Sequence, residues 1–458
     1  MRVIVCGAGQ VGYHIARTLA AEDNDVTVID QNEALVEKIS NSIDVKGIIG
    51  HASHPDVLER AGAASADLLI AVTYADEVNM VACQVAHSLF EVPTKIARVR
   101  AQSYLEPSWA NLFAREGLPI DIIISPEIEV ARAIGRRLRV PGAFDMIPLA
   151  DDLVRLIGVR CEPDCPITNT PLRQLTSLFP DLNIVVVGIV RGTRAFVPTG
   201  EDAMLVGDEV YFVAETSHVK RALSLFGHEE EAHRRVVILG GGNIGLFLAQ
   251  QIEQNEPAMT AKIIEVDKAR AEMIAERLGR TIVLNGDALD PDMLEEANIR
   301  AAESVIAVTN DDETNILASL LAKRAGCRRS VTLINKTTYS ALVSSLGIDV
   351  VVSPRAITVS TILQQVRRGR IRSVHSLREG FGELIEAEAL ETSGIVNKPL
   401  REAQLPDGVI LGALVRQDKV IIPRADTVPK PGDRVVLMAT ASAIKAVEKM
   451  FSVRLEYF

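Results

Sequence analysis

The chain has 458 residues, 48% hydrophobic and 24% charged, with a formal net charge of −11. Those figures give three or four globular domains, each able to bury a core, and exclude a disordered chain. The acidic balance excludes an electrostatic nucleic-acid binder, and apolar runs of about seven residues, such as Ile184–Val190 and Val409–Val415, fall well short of the roughly twenty that a membrane helix needs.

The chain opens on an apolar run, Val3–Cys6, that turns directly into Gly7-Ala8-Gly9-Gln10-Val11-Gly12. A signal peptide would need a longer apolar run than this. Val11–Leu19 reads as a helix, and a second strand, Val26–Ile29, is closed by Asp30 eighteen residues past Gly12. Strand, loop, helix, strand and acid together form a dinucleotide fingerprint, and each part has a physical job. Gly7 allows the tight turn, Gly9 lets a pyrophosphate approach the backbone, and Gly12 lets the helix pack on the strand. The helix N-terminus offers N–H groups and partial positive charge to phosphates. Asp30 would accept hydrogen bonds from ribose hydroxyls, and the acid, followed by Gln31 and not arginine, disfavours the 2′-phosphate of NADP. Helical stretches Asn32–Ile43 and Glu77–Leu89 then alternate with apolar runs Leu68–Val72 and Ile122–Ile124. Apolar runs without alternation suit strands buried on both faces of a parallel sheet. This first unit is expected to span residues 1–140.

Residues 144–228 have a different texture: short β-rich runs, Pro/Gly turns and a terminal helix. Cys161-Glu-Pro-Asp-Cys165 in this segment offers half of a zinc site, but no second ligand pair lies near it. The five cysteines, Cys6, Cys83, Cys161, Cys165 and Cys327, are odd in number and widely spaced, which suggests reduced thiols and the cytoplasm.

The pattern then starts again. Arg2-Val-Ile-Val-Cys-Gly7 reappears as Arg235-Val-Val-Ile-Leu-Gly240, and the loop continues as Gly241-Gly242-Asn243-Ile244-Gly245. Asp76-Glu-Val-Asn79 matches Asp312-Glu-Thr-Asn315, and Ile120–Pro126 matches Ile348–Pro354. Glu265 closes the strand Lys262–Ile264 twenty residues past Gly245, so the second unit, residues 234–370, keeps every part of the fingerprint. Its glycines either bind a nucleotide or serve packing only; the complete set of parts favours a nucleotide. Residues 372–458 repeat the small lobe, with Gly207-Asp208 matching Gly432-Asp433. The fold class is therefore α/β: two Rossmann-like, doubly wound units, each followed by a small α+β lobe, in tandem duplication.

After the third strand the first copy has His51 where the second has Asp287. That edge faces the adenosine half of a ligand in such folds, so the two sites are expected to differ in preference. A dehydrogenase would need an acid–base group near the nicotinamide. The first copy's histidines, His14, His51, His54 and His87, map onto Phe247, Asp287, Asp290 and Lys323, and the others are His218, His228, His233 and His375. With no histidine shared by both copies and no Tyr-x-x-x-Lys pair, the pattern argues against an enzyme; an NAD-dependent oxidoreductase is the rival reading. Arg132, Arg136, Arg137 and Arg139 end the first unit, and Arg367, Arg368, Arg370 and Arg372 end the second. The recurrence suggests a shared job, such as a contact with another chain; a solvated helix surface is the alternative.

Taken together, Gly7–Gly12, Gly50-His-Ala-Ser-His-Pro55, Asp76–Ala86, Ile96-Ala-Arg-Val-Arg100 and Val308-Thr-Asn-Asp-Asp-Glu313 resemble the regulatory subunits of Trk-type potassium-uptake systems, tandem pairs of RCK (regulator of potassium conductance) modules. The resemblance runs over essentially the whole chain as N-lobe, C-lobe, N-lobe, C-lobe. It implies a non-enzymatic, cytoplasmic protein peripheral to the inner face of the cell membrane. Such proteins assemble as a homo-oligomeric ring, a tetramer, on a potassium-transporting membrane subunit. They bind NAD+ or NADH, and ATP or ADP, in the N-lobe clefts. A similar ring on a different potassium channel or antiporter is a second rival. The resemblance adds Thr73 and Arg98 to the first site and Thr309 to the second; Val331-Thr-Leu-Ile-Asn335 supplies no cation to match Arg98.

Overall fold

The computed structural model describes every residue except 115–116, 141, 180–182, 229–233, 337, 340–342, 344–345, 367–370, 378–380 and 452–458. The opening apolar run forms β1 (Arg2–Cys6), whose last four residues are buried. With β2 (Asp25–Asp30), β3 (Lys46–Ile49), β4 (Leu68–Ala71), β5 (Thr94–Arg98) and β6 (Ile122–Ile124) it builds a parallel sheet in the order β3-β2-β1-β4-β5-β6. Helices α1 (Gln10–Ala21), α2 (Glu33–Ser42), α3 (Pro55–Arg60), α4 (Asp76–Phe90) and α5 (Pro126–Leu138) make the connections. Alternate residues of β1 feed cores on opposite faces: Val3 and Val5 pack with Ile15 and Leu19, and Ile4 and Cys6 with Leu58 and Cys83. Strand order reverses between β1 and β4, which opens a crevice at the strands' carboxyl ends.

The first small lobe comprises β7 (Ala143–Leu149), β8 (Val154–Arg160), α6 (Leu172–Leu178), β9 (Ile184–Arg191), β10 (Arg194–Phe196), β11 (Glu209–Glu215) and α7 (Val219–Leu225). Its antiparallel sheet runs β10-β9-β11-β8-β7. The second copy of the parallel sheet uses β12 (Arg235–Leu239), β13 (Thr260–Glu265), β14 (Ile282–Asn285), β15 (Ser304–Ala307), β16 (Arg329–Leu333) and β17 (Val350–Val352) in the order β14-β13-β12-β15-β16-β17. Among its helices are α8 (Asn243–Asn255), α9 (Lys268–Glu276), α10 (Pro291–Glu296), α11 (Asp312–Arg324) and α12 (Pro354–Val366). The last lobe has β18 (Ile371–Leu377), β19 (Gly382–Glu388), β20 (Val409–Arg416), β21 (Lys419–Ile421), β22 (Arg434–Thr440) and α13 (Ile444–Phe451), and its sheet order, β18-β19-β22-β20-β21, repeats that of the first small lobe. The duplication and the fold class read from sequence are those of the structure.

Contacts divide the chain into two units, one of Met1–Ile134 with Arg234–Val366 and the other of Gly135–His233 with Arg367–Phe458. In the first unit the copies exchange an element: Ile362, Leu363 and Val366 of α12 join Val5, Ile15 and Leu19 in one core. In the second unit the two small lobes share a core in which Leu149, Leu156 and Val213 meet Leu384, Ala413 and Met438. The lobes approach closely at two glycines, since a Cβ on Gly188 would lie 2.7 Å from the Phe381 ring and one on Gly412 would lie 2.7 Å from Val213. A buried carboxylate locks the pair: Glu386 accepts from Ala150 N at 3.0 Å and from Arg434 Nη2 at 2.6 Å, and Arg434 also reaches Asp151 at 2.6 Å.

His375 of β18 belongs to this second unit. Burial pushes its imidazole from 6.5 down to about 4, and the Arg136 guanidinium adds to the shift, opposed by Asp145 and Glu386. Between those values the unfolded chain binds a proton that the folded chain refuses. His375 therefore contributes nothing adverse above pH 6.5 and destabilises the fold as pH falls from about 6.5 towards 4, by roughly 1–3 kcal/mol. Urea unfolding at pH 7 and pH 5 should show the wild type losing more stability between the two than His375→Gln.

Candidate functional site

The glycine loops have the geometry their spacing requires. Gly7 has φ +114 and Gly240 φ +104, a region open to glycine, and each loop's first N–H donates to the end of the neighbouring strand, Gly7 to Ile29 O at 2.7 Å and Gly240 to Ile264 O at 2.9 Å. A Cβ on Gly12 would stand 1.8 Å from Gly7 O, and one on Gly245 would stand 2.1 Å from Gly240 O. The middle glycines differ: a Cβ on Gly9 or Gly242 would meet nothing within 4 Å. Their backbones are extended, and neither Gly9 nor Gly242 caps its helix with a side chain, so α1 and α8 present their first-turn N–H groups towards open space. Gln10, Val11, Asn243 and Ile244 form those first turns.

Both acids are tied to their loops. Asp30 Oδ2 accepts from Ala8 N at 2.7 Å and Oδ1 from Asn32 N at 2.8 Å. Glu265 Oε2 accepts from Gly241 N at 2.6 Å and Oε1 from Asp267 N at 2.9 Å. Each acid is half-buried at the cleft rim, and two bonds leave about half of a carboxylate's acceptor capacity for a ligand. An open cradle, a helix N-terminus and a fixed acceptor are what a dinucleotide's pyrophosphate and ribose need, so the residues fit the group.

The Asp-Glu-x-Asn motif braces the other half of each cleft. Asn79 Oδ1 takes Thr73 N at 2.8 Å and Thr73 Oγ1 at 2.7 Å, while its amide reaches Arg98 O at 3.0 Å. Asn315 does the same for Thr309 and Leu333. Asp76 accepts from Arg100 N and Ala101 N, as Asp312 does from Asn335 N and Lys336 N. These bonds place Leu333 at the position of Arg98. The Arg98 Nη2 donates to Thr73 O at 2.8 Å, its Nε makes no hydrogen bond, and burial together with the Arg100 charge lowers its pKa. His51 lies 2.8 Å from Ser53 through Nδ1 and stacks on His54 at 4.7 Å between ring centroids, whereas Asp287 accepts from Leu289 N within its own turn.

Sequence reasoning missed one cleft residue, Arg270. Its Nε donates to Gly241 O at 2.8 Å and its Nη2 to Asn243 Oδ1 at 3.1 Å, which lays a guanidinium across the second glycine loop. The available signal was the alignment of the copies, which sets Arg270 against Leu35. Several of the paired arginines have acceptors on their own chain: Arg132 with Glu129 at 2.7 Å, Arg137 with Asp145 at 2.9 Å and Arg372 with Glu388 at 2.9 Å. Arg367, Arg368, Arg370 and His233 lie outside the described residues. The cysteines are all free and buried. Among the described residues no helix is long and apolar enough to cross a membrane.

Two Rossmann-type sheets in one chain, each followed by a five-stranded antiparallel lobe, define a tandem RCK protein. The TrkA-N domain family matches residues 3–126 and 236–354, and the TrkA-C domain family matches residues 156–227 and 384–452. The Trk system potassium uptake protein TrkA of Azorhizobium caulinodans is 51% identical over 458 residues, covering 100% of both chains. Those of Halomonas elongata and Vibrio alginolyticus are 42% and 40% identical, covering 100% and 98% of each chain respectively. Among solved structures, the GsuK RCK domain matches 99% of this chain and 95% of its own at 19% identity and a TM-score of 0.60; the GsuK channel bound to NAD matches 99% of this chain and 79% of its own, also at 19% identity and a TM-score of 0.60. The chain belongs to the TrkA family of Trk potassium-uptake proteins.

Proposed function

We propose that the chain is a non-catalytic regulatory subunit that senses NAD+ or NADH, and ATP or ADP, and through them gates a Trk-type potassium-uptake transporter. It acts as a homotetrameric ring, cytoplasmic and peripheral to the inner face of the cell membrane. The observation that carries this is the repetition of a complete cleft, with open middle glycine, uncapped helix and loop-anchored acid, in a chain alike over its full length to Trk potassium-uptake proteins.

Each part has a role in holding the ligand. The N-lobes, residues 1–140 and 234–370, bind nucleotide; the C-lobes, residues 144–228 and 372–458, assemble the subunit. Gly7–Gly12 and Gly240–Gly245 receive the pyrophosphate, and Asp30 and Glu265 hold the ribose. His51 and Asp287 face the adenosine side, and Thr73, Arg98 and Thr309 face the far half. A bound dinucleotide would supply charge and shape, and the Thr73 and Thr309 hydroxyls, committed to Asn79 and Asn315, hold the loop and not a substrate's proton.

Co-expression with the transporter's membrane subunit, followed by pull-down with and without NADH and ATP, tests this reading. Nucleotide-dependent co-purification is the expected result. Steady consumption of NADH absorbance with a small-molecule substrate would favour an oxidoreductase instead, and retention by a channel or antiporter but not by the Trk subunit would redirect the partner.

A further inference from the structure

We propose that Arg270 is the phosphate-holding cation of the second cleft and restricts that cleft to adenine nucleotides whose charge ends at the diphosphate; the proposal rests on the nucleotide-binding reading above. The helix that follows each acid starts in the same way. Asn32 caps α2 by accepting from Leu35 N, and Asp267 caps α9 by accepting from Arg270 N. Leu35 and Arg270 therefore occupy one position. In the first copy that side chain is half-buried and packs against the apolar core. In the second it turns to the glycine loop and is pinned there through Gly241 O and Asn243 Oδ1.

Gly241 and Asn243 flank Gly242, the residue with open space where a Cβ would be. A phosphate that approaches Gly242 thus arrives beside the guanidinium, on the side of the ribose acid Glu265. A guanidinium fixed in this way meets a phosphate with preorganised, charge-assisted hydrogen bonds.

The far half of the clefts shows the opposite distribution. There the first cleft has Arg98 at the end of β5, with Arg100 paired to Glu127 at 2.9 Å, and the second has Leu333 and Asn335. Asn335 is bound to Asp312, and the nearby Lys336 is paired with Glu313 at 2.8 Å. Each cleft carries a guanidinium that the other lacks, at opposite ends of the ligand path. A third phosphate extending past the glycine loop meets Arg98 in the first cleft and a leucine in the second. A diphosphate unit, whether ADP or the pyrophosphate of a dinucleotide, keeps its charge within reach of Arg270.

The full chain carrying Gly9→Ala, which obstructs the first cleft, isolates the second. Calorimetric titration of this variant should give ADP and NADH affinities at least about tenfold tighter than ATP. Adding Arg270→Leu, the first copy's residue, should weaken ADP and NADH by about tenfold or more and reduce the salt dependence of binding, with the melting temperature little changed. Arg270→Lys, which keeps the charge without the fork, should recover part of the loss, and it serves as the probe if the leucine variant fails to fold. ADP and NADH binding unchanged by both substitutions would overturn the role of Arg270. ATP bound as tightly as ADP in the Gly9→Ala chain would overturn the selectivity. A wild-type chain that binds none of the three ligands would overturn the nucleotide reading itself, and the proposal with it.

Discussion

Gly12→Ala is expected to unfold the first cleft, while Gly9→Ala is expected to leave the fold intact and lose the first cleft's ligand. A Cβ at Gly12 would enter Gly7 O at 1.8 Å, a backbone atom that cannot turn aside as a side chain could. Either α1 lifts from β1 or the tight turn opens, and overpacking of that kind costs about 3 kcal/mol. Gly9 has φ −64 and ψ −176, which alanine adopts freely, and no atom stands within 4 Å of its missing Cβ. Its substitution should change stability by no more than about 0.5 kcal/mol. The added methyl would instead stand where a phosphate meets the backbone, with a loss of about 3 kcal/mol in binding, or roughly 150-fold. Denaturant melts and calorimetry on both variants separate the two effects; a Gly9→Ala chain that keeps wild-type ATP affinity and both NADH sites would remove the loop from the site. Gly242→Ala offers the same test in the second copy, where the free space is equal.

Asp30→Ala should cost the first cleft's NADH affinity on the order of 10- to 150-fold, from about 1.5–3 kcal/mol of hydrogen bonding to a charged acceptor. The structure adds a second consequence. Both carboxylate oxygens already hold the loop, through Ala8 N and Asn32 N, so removal also frees two backbone donors. Asn32 is exposed, so water replaces that bond, but Ala8 is buried and its N–H is left without a partner, so the stability loss should be about 1–3 kcal/mol. Asp30→Asn keeps one acceptor oxygen but turns an amide N–H towards a backbone N–H, and should fall between alanine and wild type in both respects. Unchanged NADH affinity at the first cleft in Asp30→Ala, measured with the second cleft blocked by Gly242→Ala, would place the ribose elsewhere.

The glycine spacings, the acids and the repeat were legible because each is local: a turn, a strand end and a helix start recur in fixed order along the chain. The motif Asp76-Glu-Val-Asn79 was legible as a pattern but not as a brace. Its carboxylate and amide act on residues 98–101, reached only once β4 and β5 lie side by side. Arg270 escaped for a related reason. A helical arginine near a strand end looks solvated in sequence, and only the fold shows that its guanidinium crosses to Gly241. The exchange of α12 onto α1 was equally hidden, because an amphipathic helix records that it has a buried face and not which copy covers it. The same holds for the Glu386–Arg434–Asp151 lock between the small lobes, whose partners lie far apart in sequence.

Gating by nucleotide requires that ligand bind one state of the assembly more tightly than another, since equal binding shifts nothing. Linkage then fixes a reciprocal effect: docking on the transporter must alter nucleotide affinity by the same factor by which nucleotide alters docking. A coupling of about 1–3 kcal/mol corresponds to roughly 5- to 150-fold. The most direct measurement is therefore the Kd of NADH and of ATP for the free protein and for the protein bound to the proposed membrane subunit in detergent, with potassium flux followed in parallel. The expected result is a shift of that size for at least one ligand, matched by a ligand-dependent change in docking or flux. Flux that responds to nucleotide while both constants are equal in the free and bound forms would contradict ligand-switched gating.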